Sequence, residues 1–228
     1  MPRRPMGAQN GPRRSFNRDR VTQNRPSTPS RPVVPTNQRL GQQTNQVPAT
    51  SQYTQSRTAL RVIPLGGVEE VGINCTVFEY GDDIIIVDMG LAFPDETMPG
   101  VDYIIPDVNY LEENKKKIRG LFVTHAHLDH IGAIPYVLTK IGDPPIYTMP
   151  LSAGLIKKRL EEFNLASRAR LHAIDKDASI QLGSFKLEFF RLNHNIPDCI
   201  GLRIQTPVGN VIYATDWKFD HTPMDGLP

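Results

Sequence analysis

Leu121-Phe-Val-Thr-His-Ala-His-Leu-Asp-His-Ile-Gly-Ala-Ile-Pro135 sets His125, His127, Asp129 and His130 within six residues, directly after the apolar, β-rich run 120–124. A strand that gives way to a loop leaves these side chains at the strand's end, where imidazoles and a carboxylate can converge. Both groups are ligands for Zn²⁺ and similar borderline ions. A lone His beside apolar residues is usually packed or solvated. Three His and an Asp in an HxHxDH pattern would instead weaken a core, so the pattern predicts a metal site. Asp129 also stands where a helix over 131–141 would begin, which makes it a candidate cap for that helix.

With 228 residues the chain is long enough for one domain with its own core. Its formal net charge of +2 conceals a division. Residues 1–57 carry ten Arg, no Lys and one acidic residue, Asp19, for a net charge of about +9. The remainder carries sixteen basic and twenty-three acidic side chains, about −7 net. Rich in Pro, Gln, Asn, Ser, Thr and Arg, residues 1–57 cannot offset their ordering entropy by burial, and a disordered tail is expected there. Its arginines suit sequence-independent contact with phosphates; on composition alone a solubilising tail fits equally well. Cys75 and Cys199 are too few for a disulfide framework, and each lies in an apolar run where a buried free thiol is expected. No apolar run reaches membrane-spanning length and the N-terminus has no hydrophobic signal core, so a soluble, cytoplasmic protein without membrane attachment is expected.

Apolar alternation and turn residues predict strands at 59–65, 73–80 and 83–88, the last two forming a hairpin about Gly81-Asp82. Asp88 closes that hairpin within Asp88-Met-Gly90, where a turn or capping role would also suit it. Residues 107–117 read as a short, charged surface helix and 144–149 as a strand. A helix over 152–165 is expected to turn Leu155, Ile156, Leu160 and Phe163 to one side. Strands follow at 171–174, 179–182, 185–192, 199–206 and 210–214, with Val208-Gly209-Asn210 turning between the last two. His194 comes just after the strand 185–192, and Asp216 just after 210–214. Either alone is ordinary loop chemistry.

HAHLDH resembles the signature of the metallo-β-lactamase superfamily, whose members hold one or two metal ions between two β-sheets flanked by helices. The order Asp88, HxHxDH, His194, Asp216 matches that superfamily's. The resemblance implies an α/β (α+β) fold, an αββα sandwich over residues 58–228 that is incomplete in this chain. It implies that Asp88 hydrogen-bonds and orients the histidine loop. It further implies that His125, His127 and His194 form a three-histidine site, and that Asp129 and His130 contribute to a second site with Asp216 bridging the two. Asp129 and Asp216 are the catalytic candidates, Asp129 also as a proton carrier. Two Zn²⁺ ions are expected in the complete enzyme, with Mn²⁺ or Mg²⁺ as alternatives. His172 and His221 stand outside the pattern and read as surface or packing residues.

Other stretches narrow the resemblance. Pro64-Leu-Gly-Gly-Val-Glu-Glu-Val-Gly-Ile-Asn74, Gly90-Leu-Ala-Phe-Pro-Asp95 and Pro99-Gly-Val-Asp-Tyr-Ile-Ile-Pro-Asp107 resemble ribonuclease J, as do residues 125–135, 192–198 and Trp217-Lys-Phe-Asp220. That family comprises β-CASP nucleases with 5′-to-3′ exonuclease and often endonuclease activity. The resemblance therefore implies an RNA substrate, a role in RNA processing and decay including that of rRNA, and a homo-oligomer at full length. Ala214-Thr-Asp-Trp217 departs from the Gly-Asp-Phe more usual there, but keeps the ligand position. In the family, a β-CASP domain, a later histidine of the second metal site and a pocket for the RNA 5′-phosphate come after the point corresponding to Pro228. The chain is accordingly expected to be an N-terminal portion, impaired by itself. Two other classes are compatible with the sequence. The ligand set permits a small-molecule metallohydrolase of the lactamase or thioesterase type, and the Arg-rich tail permits a non-catalytic RNA-binding module.

Overall fold

In the run Asp83–Val87 all four aliphatic residues from Ile84 are fully buried. A strand without a polar face needs cover on both sides. The computed structural model, which describes residues 59–223, supplies that cover with helices on one side and a second sheet on the other. The first sheet contains β1 (Leu60–Gly66), β2 (Cys75–Tyr80), β3 (Asp83–Val87), β4 (Ile118–Phe122), β5 (Ile146–Thr148) and β6 (Leu171–Ala173), in that spatial order. The strands β1 to β3 pair antiparallel, and β3 to β6 pair parallel. The second sheet is antiparallel, in the order β10 (Gly209–Tyr213), β9 (Ile200–Thr206), β8 (Phe185–Arg191), β7 (Ser179–Leu182).

Alternation along the first sheet divides its side chains between two cores. Val77, Ile84, Ile86, Leu121 and Val123 pack against the helices α1 (Asn109–Glu113), α2 (Leu128–Ile131), α3 (Ile134–Val137) and α4 (Pro150–Glu162). Phe78, Ile85, Val87 and Phe122 face Phe185, Leu187, Leu202 and Ile204 of the second sheet. Three layers of the expected sandwich, one helical and two of sheet, thus lie among the described residues. None of the described helices is long and apolar enough to cross a membrane. The tail expected over 1–57 lies outside the described residues.

The β2–β3 hairpin turns as expected, with Tyr80 opposite Asp83 and Gly81 at φ 61°. The helix expected over 131–141 differs. It begins earlier, at Leu128, and is split into α2 and α3. Pro135 has no N–H to donate to the carbonyl of residue 131, and Ala133 N instead donates to Met89 O at 3.0 Å. Asp129 is no cap: the N-cap position falls on His127, without a side-chain bond, and Asp129 sits in the first turn. The charged helix expected at 107–117 is α1 followed by a 3₁₀ turn, Lys115–Lys117. The helix expected over 152–165 starts at Pro150, a residue pre-organised for a first helical turn. Its buried face is Ser152, Ala153, Ile156 and Leu160, whereas Leu155 is exposed. Cys75 and Cys199 are free and buried. His172 and His221 are exposed, His172 stacking on Tyr147.

Candidate metal centre

Strand direction brings the candidate ligands to one edge of the sandwich. β3 and β4 are parallel neighbours, so Asp88, just after β3, and the stretch from Thr124, just after β4, emerge on the same side. In the second sheet β8 and β10 are both antiparallel to β9, so the residues after each also emerge together. These carry His194 and Asp216. Ile200 N donates to Thr124 O at 3.1 Å and ties the two sheets at this edge, while Lys218 N donates to Asn193 O at 2.7 Å and joins the two second-sheet loops.

Six side chains meet there. His125 Nε2 lies 3.0 Å from His127 Nδ1, and His194 Nε2 lies 3.2 Å from the same His127 atom. One donor group is thus His125, His127 and His194; a second is His125, His130 and Asp216, each with its ligand atoms within 4.8 Å of one another. Asp216 Oδ2 stands between two rings, 3.6 Å from His130 Nε2 and 3.7 Å from His194 Nε2. Asp129 Oδ2 lies 3.5 Å from His130 Nε2. It is the one expected second-site ligand outside the tighter groups, being engaged by Asn74.

The spacing suits a cation. Nitrogens about 2.0–2.1 Å from a tetrahedral Zn²⁺ are about 3.3 Å apart, close to the separations among His125, His127 and His194. Three imidazole nitrogens facing one another cannot satisfy each other with hydrogen bonds, but one cation accepts all three lone pairs. Burial, together with the His130, His127 and His194 rings, pushes His125 down to about 2, so its ring stays neutral. Burial likewise lowers His194. At His130 burial also favours the neutral ring, but the Asp88 carboxylate, with Asp129, outweighs it and lifts the ring to about 10. The His130 hydrogen bond holds Asp129 below the usual carboxylate range.

Asp88 touches none of the facing nitrogens. Fully buried, it accepts from Thr124 N at 2.8 Å, from the Thr124 hydroxyl, and from His130 Nδ1 at 2.9 Å. The Thr124 hydroxyl has one proton to give, and gives it to Asp88. It therefore accepts from His125 Nδ1 at 3.1 Å, which leaves the His125 Nε2 lone pair facing the site. The Asp88 carboxylate reaches this place through a left-handed backbone, φ 63°, a conformation Asp tolerates better than most residues. Two positions on, a Cβ at Gly90 would lie 1.5 Å from Asp129 O, so only glycine lets this segment approach the motif.

Thr124, Asn74 and Gly90 are the functional neighbours that the sequence did not disclose. Gly90 and Asn74 lie in stretches singled out for other reasons, and Thr124 directly precedes the first His. Their partners are tens of residues away in the chain, so no local pattern marks them.

A family profile described as a beta-lactamase superfamily domain matches residues 92–225, more than half of the chain. Ribonuclease J of Synechocystis sp. is 46% identical over 169 residues, 74% of this chain and 26% of that protein. Ribonuclease J of Thermus thermophilus is 47% identical over 173 residues, 73% of this chain and 30% of that protein. The chain thus spans less than a third of the length of these curated relatives. Among solved structures, the metallo-beta-lactamase fold protein YhfI from Bacillus subtilis aligns with a TM-score of 0.51 at 19% identity, over 71% of this chain and 64% of that one. That likeness carries the fold alone.

Proposed function

This chain belongs to the beta-lactamase superfamily, and we propose that it is the N-terminal, metal-binding portion of a ribonuclease J, a metal-dependent ribonuclease that hydrolyses RNA phosphodiesters. Residues 58–228 form part of its metallo-β-lactamase domain, and residues 1–57 a tail that adds affinity for RNA. The observation that carries this proposal is the pair of overlapping donor groups, joined through His125, at the edge where both sheets end their strands. The similarity to ribonucleases supports RNA as the substrate class.

His125, His127 and His194 would hold one ion; His130 and Asp129 would hold a second, with Asp216 available to both. Zn²⁺ is the ion the three-imidazole group favours. Divalent ions bound there lower the pKa of a water and neutralise charge on the phosphodiester. Asp88 and Thr124 keep the His130 and His125 rings turned to the site. Asp129, whose Oδ2 lies 3.5 Å from His130 Nε2, is assigned the proton of the attacking water. Beside His194 a cleft of about 390 Å³, in which Lys218 pairs with Asp220 at 2.9 Å, opens next to the donor groups. Trp217 and Phe219, exposed and packed edge to face at 5.0 Å, offer rings for single-stranded bases to stack on.

The test is hydrolysis by the purified protein of 5′-phosphorylated single-stranded RNA, a β-lactam and a thioester, before and after chelation. RNA cleavage that is lost on chelation and restored by Zn²⁺ or Mn²⁺ is the expected result. Hydrolysis of the lactam or thioester with intact RNA would overturn it in favour of a small-molecule hydrolase. RNA binding without cleavage, unchanged by chelation and abolished by deleting residues 1–57, would favour a non-catalytic binding module.

A further inference from the structure

The stretch Pro64–Asn74 supplies no ligand to either donor group, yet its last residue is pressed against them. Asn74 N donates to Asp129 O at 3.1 Å, and Asn74 O accepts from Gly90 N at 2.9 Å, so its backbone is fixed on both sides. Its carboxamide then reaches the ligands. Nδ2 donates to Asp129 O at 3.1 Å and to Asp129 Oδ2 at 3.3 Å, and lies 3.2 Å from His130 Nε2. The other end of the amide is set by a glycine: a Cβ at Gly67, φ +82°, would come within 2.4 Å of Asn74 Oδ1.

From this contact we infer that Asn74 is a positioning residue for the second ion, holding Asp129 beside His130; the inference rests on the two-ion proposal above. Two amide hydrogens face the two Asp129 oxygens and, when the ring is neutral as a ligand must be, His130 Nε2 as a third acceptor. An ion that takes the His130 lone pair leaves both hydrogens to Asp129, one to its carbonyl and one to its carboxylate. The carboxylate then keeps its rotamer and presents its remaining lone pairs to the ion. These contacts of the Asn74 amide fall on Asp129 and His130, not on His127 or His194, so the effect is selective for the second position. The same geometry accounts for the glycine at 67, where a Cβ would displace the amide.

Co²⁺ titration of the metal-stripped full chain, followed by visible absorption, tests this without an activity assay. The wild type is expected to take up two ions in two events, the second the weaker. Asn74→Ala keeps both backbone bonds, and should leave the first event unchanged while weakening the second about 10–100-fold, the usual loss when a residue orienting a ligand is removed. Equal or tighter second binding in Asn74→Ala overturns the inference, and so does equal weakening of both events. A wild type that binds one ion contradicts the two-ion proposal and this inference together, whereas two ions with an indifferent Asn74→Ala contradict only the inference. Should Asn74→Ala fail to fold, Gly67→Ala, which displaces the amide without touching a ligand, carries the same expectation and the same contrary results.

Discussion

Asp216 and Asp88 are both acids just after a strand, but their surroundings give them different work. Asp216 Oδ2 lies between the His130 and His194 nitrogens, whereas Asp88 is spent on Thr124 and the far side of the His130 ring. On the proposed function, Asp216→Asn in the full-length enzyme removes a negative charge that both donor groups would share, so RNA cleavage should fall by orders of magnitude with loss of metal. Asp88→Asn keeps the size and one acceptor, and a loss of about 10–100-fold with metal largely retained is expected. Parallel cleavage and metal assays on the pair decide this; metal lost from Asp88→Asn and kept by Asp216→Asn would reverse the roles. Ligand types were legible in the sequence because four of the six fall within one stretch of motif. The residues that aim them were not, because Thr124 meets Asp88 and Asn74 meets Asp129 only through the fold.

Among the elements, the β2–β3 hairpin is held at the end away from the ligands by Asp83. Its carboxylate accepts from Arg119 Nε of β4 at 2.6 Å and from Ser184 N and Oγ, both at 2.8 Å, beside the β7–β8 turn. One side chain thereby pins the first sheet to the second. Although burial works against the charged form, these partners hold Asp83 below the usual carboxylate range. A lowered folded value adds stability that is complete above the unfolded value of about 3.9 and is lost as pH falls through the folded one. Asp83→Ala should cost about 1–3 kcal/mol near neutral pH, and the gap from wild type should close on acidification below about pH 4. Denaturant melts of both proteins across that range measure it; a gap that widens in acid would contradict the assignment. The hairpin itself was legible from Gly81-Asp82 and the apolar alternation. The break between α2 and α3 was not, since it depends on Ala133 N finding Met89 O as well as on Pro135. The exposed Leu155 likewise follows from where α4 rests, not from its own periodicity.

For the whole molecule, the charge division gives a prediction that stands apart from the ligands. About nine net positive charges in residues 1–57 should add salt-sensitive, sequence-independent RNA affinity by counterion release. Binding of the full chain and of a chain starting at Thr58, compared across a salt series, should show a shallower salt slope for the shorter one; equal slopes would leave the tail only a solubiliser. The resemblance carried by the HxHxDH stretch implied metal ions between two sheets. What it could not imply is that β8 and β10 run the same way, which is why His194 and Asp216 arrive together. The claim on which the rest depends is that these residues hold a divalent ion. Metal analysis of the purified, folded chain, with His125→Ala, His127→Ala and His194→Ala beside it, tests that most directly. At least one Zn²⁺-like ion per wild-type chain, lost in each variant, is predicted; a folded wild type without metal, unable to take up Zn²⁺ when it is supplied, would contradict it.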